Sequence, residues 1–194
     1  MVRLYAGVWK TGGMGRVSAQ DWARAALDTL AEDGFAAVAV EPVAARLGVT
    51  KGSFYWHFAN RRKLIEAALA LWEADSEQII ANLREITDPA RRMRTLLGAA
   101  FGDTRDAAIA FRLIGAADDP AVAEVARRVT ARRLDVMRQT LEELGQPPDL
   151  ARRRVLAGYG VYVGVAALRR IGMLDDPAEF VETAVAEMGL DLPR

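Results

Sequence analysis

Residue types able to do chemistry concentrate in one short stretch of this 194-residue chain. There is no cysteine and a single histidine, His57. Disulfides, thiolate metal sites and cysteine nucleophiles are therefore excluded. A histidine-based acid–base relay would have to be built around residue 57. Carboxylate chemistry through Asp118 and Asp119 stays formally open, yet the pair precedes a proline and reads as a helix start. Gly158-Tyr159-Gly160 resembles part of a nucleotide loop, but Val163 stands at the third glycine position, no strand precedes it, and no P-loop pattern occurs. What residues 43–63, VAARLGVTKGSFYWHFANRRK, do contain is a run of hydrogen-bond donors, aromatic rings and three consecutive cations.

The spacing in that stretch is that of a helix, a glycine turn and a second helix. Ala44, Gly48 and Phe54 stand where a helix-turn-helix needs a small residue, a turn glycine and an apolar anchor. The second helix of such a unit can enter the major groove of DNA. Thr50 is placed to cap that helix and to reach a phosphate. Lys51 can reach a base edge or the backbone, and Gly52 allows close approach of the DNA. Ser53, Trp56 and His57 are expected to project outward while Phe54 and Phe58 pack inward. Tyr55 can offer its hydroxyl to a phosphate. Arg61, Arg62 and Lys63 open the next helix against its dipole, a choice that a nearby polyanion would explain. Glu41 reads as a first-turn residue rather than a DNA contact.

Charge supports this division. The chain is formally neutral, but residues 1–63 hold nine Lys/Arg against five Asp/Glu, a net +4, which leaves −4 for the remainder. A basic module beside an acidic body suits a head that meets phosphates. No apolar run has the length of a membrane span. The first residues, MVRLYAGVWKTGGMGR, make a poor secretory signal. They read as a flexible arm, or as an upstream start with Met14 as the alternative one. The lack of cysteine fits a reducing cytoplasm.

Nearly every segment that must position these residues reads as helix. Ser18 is a good N-cap, with Asp21 at the third helical position and Val17 and Trp22 in hydrophobic-staple positions. Asp88-Pro89, Asp119-Pro120 and Asp176-Pro177 mark three later helix starts. Gln146-Pro147-Pro148 breaks another pair. The spacing predicts helices over 19–33, 41–47, 51–57, 61–86, 89–102, 104–116, 120–144, 148–171 and 177–188, with a weak extended run at 35–40. Helix 61–86 carries Leu64, Ala68, Trp72, Asp75, Ile79, Leu83 and Ile86 on one stripe and is long enough to link a small head to a larger body.

The motif resembles that of the TetR family of bacterial transcriptional regulators. It appears here as Gly48-Val49-Thr50-Lys51-Gly52-Ser53-Phe54-Tyr55-Trp56-His57-Phe58, and the resemblance is clear over about residues 18–70. One departure is Ala39 followed by Val40, where the family usually has a threonine cap. Arg61 replaces the usual lysine and keeps its charge. The resemblance implies an all-α protein with three parts: a flexible arm over 1–17, a DNA-binding head over 18–63, and a ligand-binding and dimerisation body over 64–194. The implied DNA contacts are Thr50, Lys51, Gly52, Ser53, Tyr55, Trp56, His57 and Arg61.

In the body, Trp72, Met93, Leu97, Phe101, Phe111, Ile114, Met137 and Tyr159 are candidates to line an apolar cavity. The alternative is that they simply fill the core. Arg112, Asp103 and Tyr162 are polar candidates to orient a ligand. Gly160, Gly164 and Ala167 form a smooth strip on helix 148–171. With Phe180, Ala184 and Met188 of the last helix they are candidates for a four-helix interface across a two-fold axis. Close packing within one subunit is the other reading of the glycines.

The expected function is that of a dimeric transcriptional repressor, bound to double-stranded operator DNA and released by a small apolar or aromatic effector. It requires no metal, cofactor or membrane. The alternative is a helical protein-interaction module without DNA binding.

Overall fold

The computed structural model describes residues 17–175. The start of the first helix, α1 (Ala19–Asp33), is set by Ser18 and Asp21. The Ser18 amide donates to the Asp21 carboxylate at 2.8 Å, and the Asp21 amide donates back to the Ser18 hydroxyl at 3.2 Å. This reciprocal cap satisfies two donors that a helix start leaves open. Val17 packs against the core beneath it. Gly34, at φ +95°, ends the helix.

The extended run expected at 35–40 is instead a 3₁₀ turn over Phe35–Ala37. Its amides bond within the segment, Ala37 to Gly34 and Val38 to Phe35. With small alanines and no partner strand among the described residues, nothing there favours a ladder.

The next helix, α2 (Val40–Leu47), starts at Ala39 with no side-chain cap. Gly48 follows at φ +66°, a left-handed turn that costs glycine little. The short α3 (Lys51–Phe54) begins after Thr50. Two expectations need correcting here. The helix ends at Phe54 rather than at 57, because the amides of His57 and Phe58 both turn back to the Phe54 carbonyl. The Thr50 side chain makes no capping bond, and the start is closed by the Ser53 amide on the Thr50 carbonyl.

Asn60 caps the long α4 (Arg61–Arg84) through the Lys63 amide. The expected stripe on α4 holds at Leu64, Ala68, Trp72 and Leu83 but not between the last two. Below Trp72 the buried positions are Ser76, Ile80 and Leu83, while Asp75, Ile79 and Ile86 sit at the margin. Four more helices follow: α5 (Pro89–Gly102), α6 (Thr104–Gly115), α7 (Pro120–Glu143) and α8 (Pro148–Arg170). Asp88 and Asp119 each accept two backbone amides at their helix starts. The helix expected at 177–188 lies outside the described residues.

Two apolar clusters hold the bundle together. The larger joins α1 to α4 and runs on into α6, α7 and α8 through Leu64, Trp72, Ile109, Leu113 and Val122. The smaller unites α5, α7 and α8 around Met93, Leu97, Met137, Leu141 and Val155. The boundary placed at 63/64 therefore falls inside the first turn of α4, and the head's core continues into the body. All described regular structure is helical.

Candidate functional site

Aromatic packing is what holds α3 in place. Phe54 is fully buried, with its ring 5.4 Å from Trp22 in an edge-on arrangement and 5.6 Å from Phe58, stacked. Val43 and Ala44 complete the seat. With Phe54 turned inward, its neighbours face out: Tyr55 is 59% exposed and Trp56 77%. Lys51, Gly52 and Thr50 are exposed beside them, while Ser53 and His57 are half-buried. Two large aromatic side chains are thus exposed immediately after this short helix.

Two cations of this surface are engaged within the chain. Lys51 forms an ion pair with Glu41 of α2. The hydrogen bond from that pair, followed by its charge, lifts the Lys51 ammonium above its ordinary value and lowers the Glu41 carboxyl. Glu41 thus acts on the motif without itself being a donor. Arg61 turns back into the head: Nε donates to the Val38 carbonyl at 2.5 Å and Nη2 to the Phe35 carbonyl at 3.0 Å. Its guanidinium lies over the Phe35 ring. These bonds satisfy carbonyls of the 3₁₀ turn and give Arg61 a structural duty that sequence reading had not assigned. Arg62 pairs with Asp119 of α7, tying the start of α4 to the body.

A cavity of about 70 Å³ lies between α4, α5, α7 and α8. Four of the eight expected lining residues reach it: Leu97, Phe101, Met137 and Tyr159. The other four do not. Met93 is buried in the smaller cluster, Phe111 packs on the larger one, and Ile114 faces solvent. Trp72 is buried in the larger cluster, but its indole N–H donates to Asp106 on the cavity wall at 2.9 Å. The remaining wall is chiefly aliphatic, with Ile79, Ile80, Leu83, Leu96 and Val136.

One corner of the cavity is polar, and of its residues only Tyr162 was among the polar candidates. Asp106 and Arg133 meet through two parallel bonds of 2.8 and 2.9 Å. The Tyr162 hydroxyl donates to Asp106 at 2.6 Å, and Arg133 Nε donates to the Ser76 hydroxyl at 3.0 Å. Burial pushes the Asp106 carboxyl up, but the Arg133 charge and the hydrogen bonds outweigh it, and the carboxyl stays below its ordinary value. Burial likewise opposes the Arg133 charge, and Asp106 more than restores it. A signal for this corner existed. Asp106 shares the buried face of α6 with Ile109, Ala110 and Leu113, and Arg133 follows Val129 by four. A charge on an apolar stripe marks a buried pair. Of the other polar candidates, Asp103 caps α6 and Arg112 donates to the Glu32 carbonyl.

The strip on α8 faces outward. A methyl group added at Gly160 or Gly164 would meet nothing within 4 Å among the described residues. Leu156, Val161, Leu168 and Ile171 are exposed around it. Ala167 is half-buried. Phe180, Ala184 and Met188 lie outside the described residues. No helix among those described is long and apolar enough to cross a membrane, and none of their side chains gather into a metal-binding group.

Residues 23–68, from α1 into α4, match the family model for bacterial regulatory proteins of the tetR family. The tetracycline repressor protein class A from transposon 1721 of Escherichia coli is 48% identical over 44 residues, 23% of this chain and 20% of its own length. The chain spans only 27% and 20% of the length of the curated relatives it matches. A transcriptional regulator from Rhodococcus sp. Rha1, 24% identical, superposes with a TM-score of 0.72 over 89% of this chain and 95% of its own. The regulator FadR from Bacillus subtilis, solved in complex with stearoyl-CoA, is 17% identical with a TM-score of 0.66 over 90% and 98%. These structures share the helical fold along nearly the whole chain, and the sequence match falls on the helix-turn-helix. Residues 23–68 thus carry the helix-turn-helix of the tetR family of bacterial regulatory proteins, on a helical fold shared with solved transcriptional regulators.

Proposed function

We propose that this chain is a dimeric, cytoplasmic transcriptional repressor that leaves its operator when an apolar small molecule enters the body. Residues 18–63 serve as the DNA-binding head and 64–194 as the ligand-binding and dimerisation body. The observation that carries the reading is the presentation of α3. Phe54 and Phe58 lock it against Trp22, and Lys51, Tyr55 and Trp56 are left on the outer surface. Thr50, Gly52, Ser53 and His57 flank those three, and contacts to phosphate and base edges are within the chemistry of this set. Arg61 contributes by holding the 3₁₀ turn rather than as a primary contact.

The open strip on α8 supports a two-fold pairing in which Gly160, Gly164 and Ala167 meet their copies. The largely apolar cavity supports the effector, as does the stearoyl-CoA in FadR. Effector binding shifts the dimer toward a geometry whose two recognition helices no longer match successive major grooves. The reading calls for no catalytic step.

The test is a binding-site selection with the full chain, followed by gel-shift titration at controlled salt. A palindromic site bound by a species of twice the chain mass is the expected outcome. Binding no tighter than to random duplex would sink the regulator reading and leave the helical interaction module in its place.

A further inference from the structure

The polar corner of the cavity limits what can bind there, and this limit rests on the ligand-responsive reading above. Asp106 is saturated. One carboxylate oxygen accepts from Trp72 and Arg133, and the other from Arg133 and Tyr162. Those four bonds occupy the lone-pair sites of a carboxylate. Arg133 is not saturated. Three of its bonds are spent, two on Asp106 and one on Ser76, out of the five donors a guanidinium carries. Two N–H groups therefore remain on a side chain that lines the cavity. The corner offers donors and has no acceptor left on Asp106.

Its charge is also balanced. An incoming anion would approach Arg133 with the Asp106 carboxylate within a few ångströms, so attraction and repulsion largely cancel. The anion would still give up its hydration to a wall that is almost entirely aliphatic and aromatic. A hydrocarbon would fit the wall but leave the Arg133 donors without a partner.

We infer that the cavity selects an uncharged apolar molecule carrying one hydrogen-bond acceptor, such as a ketone, ester or amide oxygen, which docks on the free N–H groups of Arg133. The Asp106–Arg133 pair reads the charge of the ligand as well as its polarity.

Three probes of similar shape separate the alternatives: acetophenone, ethylbenzene and benzoate. Calorimetric titration of the full chain without DNA, at neutral pH, reads the cavity independently of operator binding. Acetophenone is expected to bind roughly tenfold or more tightly than either of the other two. Benzoate binding as tightly as acetophenone overturns the charge argument. Ethylbenzene binding as tightly overturns the acceptor argument. No binding by any of the three removes the cavity as a ligand site.

A substitution gives the sharper reading. Asp106→Asn leaves Arg133 uncompensated and is expected to move the preference toward benzoate by at least about tenfold. The double variant Asp106→Asn/Arg133→Gln is neutral again and should lose that preference for the anion. An unchanged ratio in a folded Asp106→Asn protein counts against the inference, and if that variant does not fold, the wild-type ratios decide alone. A chain that binds acetophenone but keeps its grip on DNA refutes the effector role while leaving the ligand class intact.

Discussion

Replacing Lys51 with alanine tests the recognition surface most directly. The side chain is exposed, and its partner is Glu41, itself exposed on α2. Removing it opens no cavity and strands no buried group, so helicity, thermal midpoint and dimer mass should be unchanged. DNA binding should not be. Each phosphate neutralised by a cation contributes about 0.9 to the slope of log affinity against log salt. A two-fold dimer carries two copies of Lys51, so the slope should flatten by roughly 1.8 if both touch phosphate. Between about 50 and 200 mM salt, the ratio of wild-type to variant affinity then changes roughly tenfold. A monomeric reader would lose only about half that slope. If Lys51 instead meets a base edge, the slope stays and preference at one operator position relaxes by about 1–3 kcal/mol. Glu41→Gln is the companion variant. It frees Lys51 from its ion pair and should raise affinity at low salt. The assay is fluorescence anisotropy on the selected operator across the salt series. Equal affinity, equal slope and an unaltered sequence profile for Lys51→Ala would refute the placement of α3 on DNA.

Three further outcomes are expected. Arg61→Ala removes the side-chain donor from the Val38 carbonyl and one of two donors from the Phe35 carbonyl, and should lower stability by about 1–3 kcal/mol in urea titration, where an unchanged midpoint would contradict a structural role. The folded Asp106 carboxyl lies below its ordinary value, so its contribution to stability is complete above the unfolded pKa of about 3.9 and is lost as pH falls through the folded value. Asp106→Asn should cost about 3–5 kcal/mol at neutral pH and flatten the loss of stability below about pH 4, and acid unfolding curves of equal steepness would show that the pair does not drive it. A Cβ at Gly164 meets nothing within 4 Å among the described residues, so in Gly164→Arg helicity should persist while light scattering reports a monomer, and an intact dimer would exclude this strip from the interface.

Local chemistry was legible in the sequence wherever neighbours along the chain decide the outcome. The Ser18–Asp21 cap, the Asp-Pro starts of α5 and α7, and the glycine turn at Gly48 are each settled within a few residues. The inward pointing of Phe54 and Phe58 follows from the helix-turn-helix pattern in the same way. One local expectation failed: the Thr50 hydroxyl does not cap α3, whose start is closed by the Ser53 amide on the Thr50 carbonyl. Tertiary packing decided the rest. Arg61 turns inward because the 3₁₀ turn, more than twenty residues earlier, presents two carbonyls to it. Apolar side chains of similar size could not be sorted from sequence into cavity wall and core, since any of them gains from burial and only the angles between helices leave a gap beside Leu97, Phe101, Met137 and Tyr159. The pairing of Asp106 with Arg133 was equally out of reach. Their stripe positions showed that each charge must be buried, but which opposite charge would meet it depends on how α6 and α7 cross, a long-range contact that no local propensity encodes.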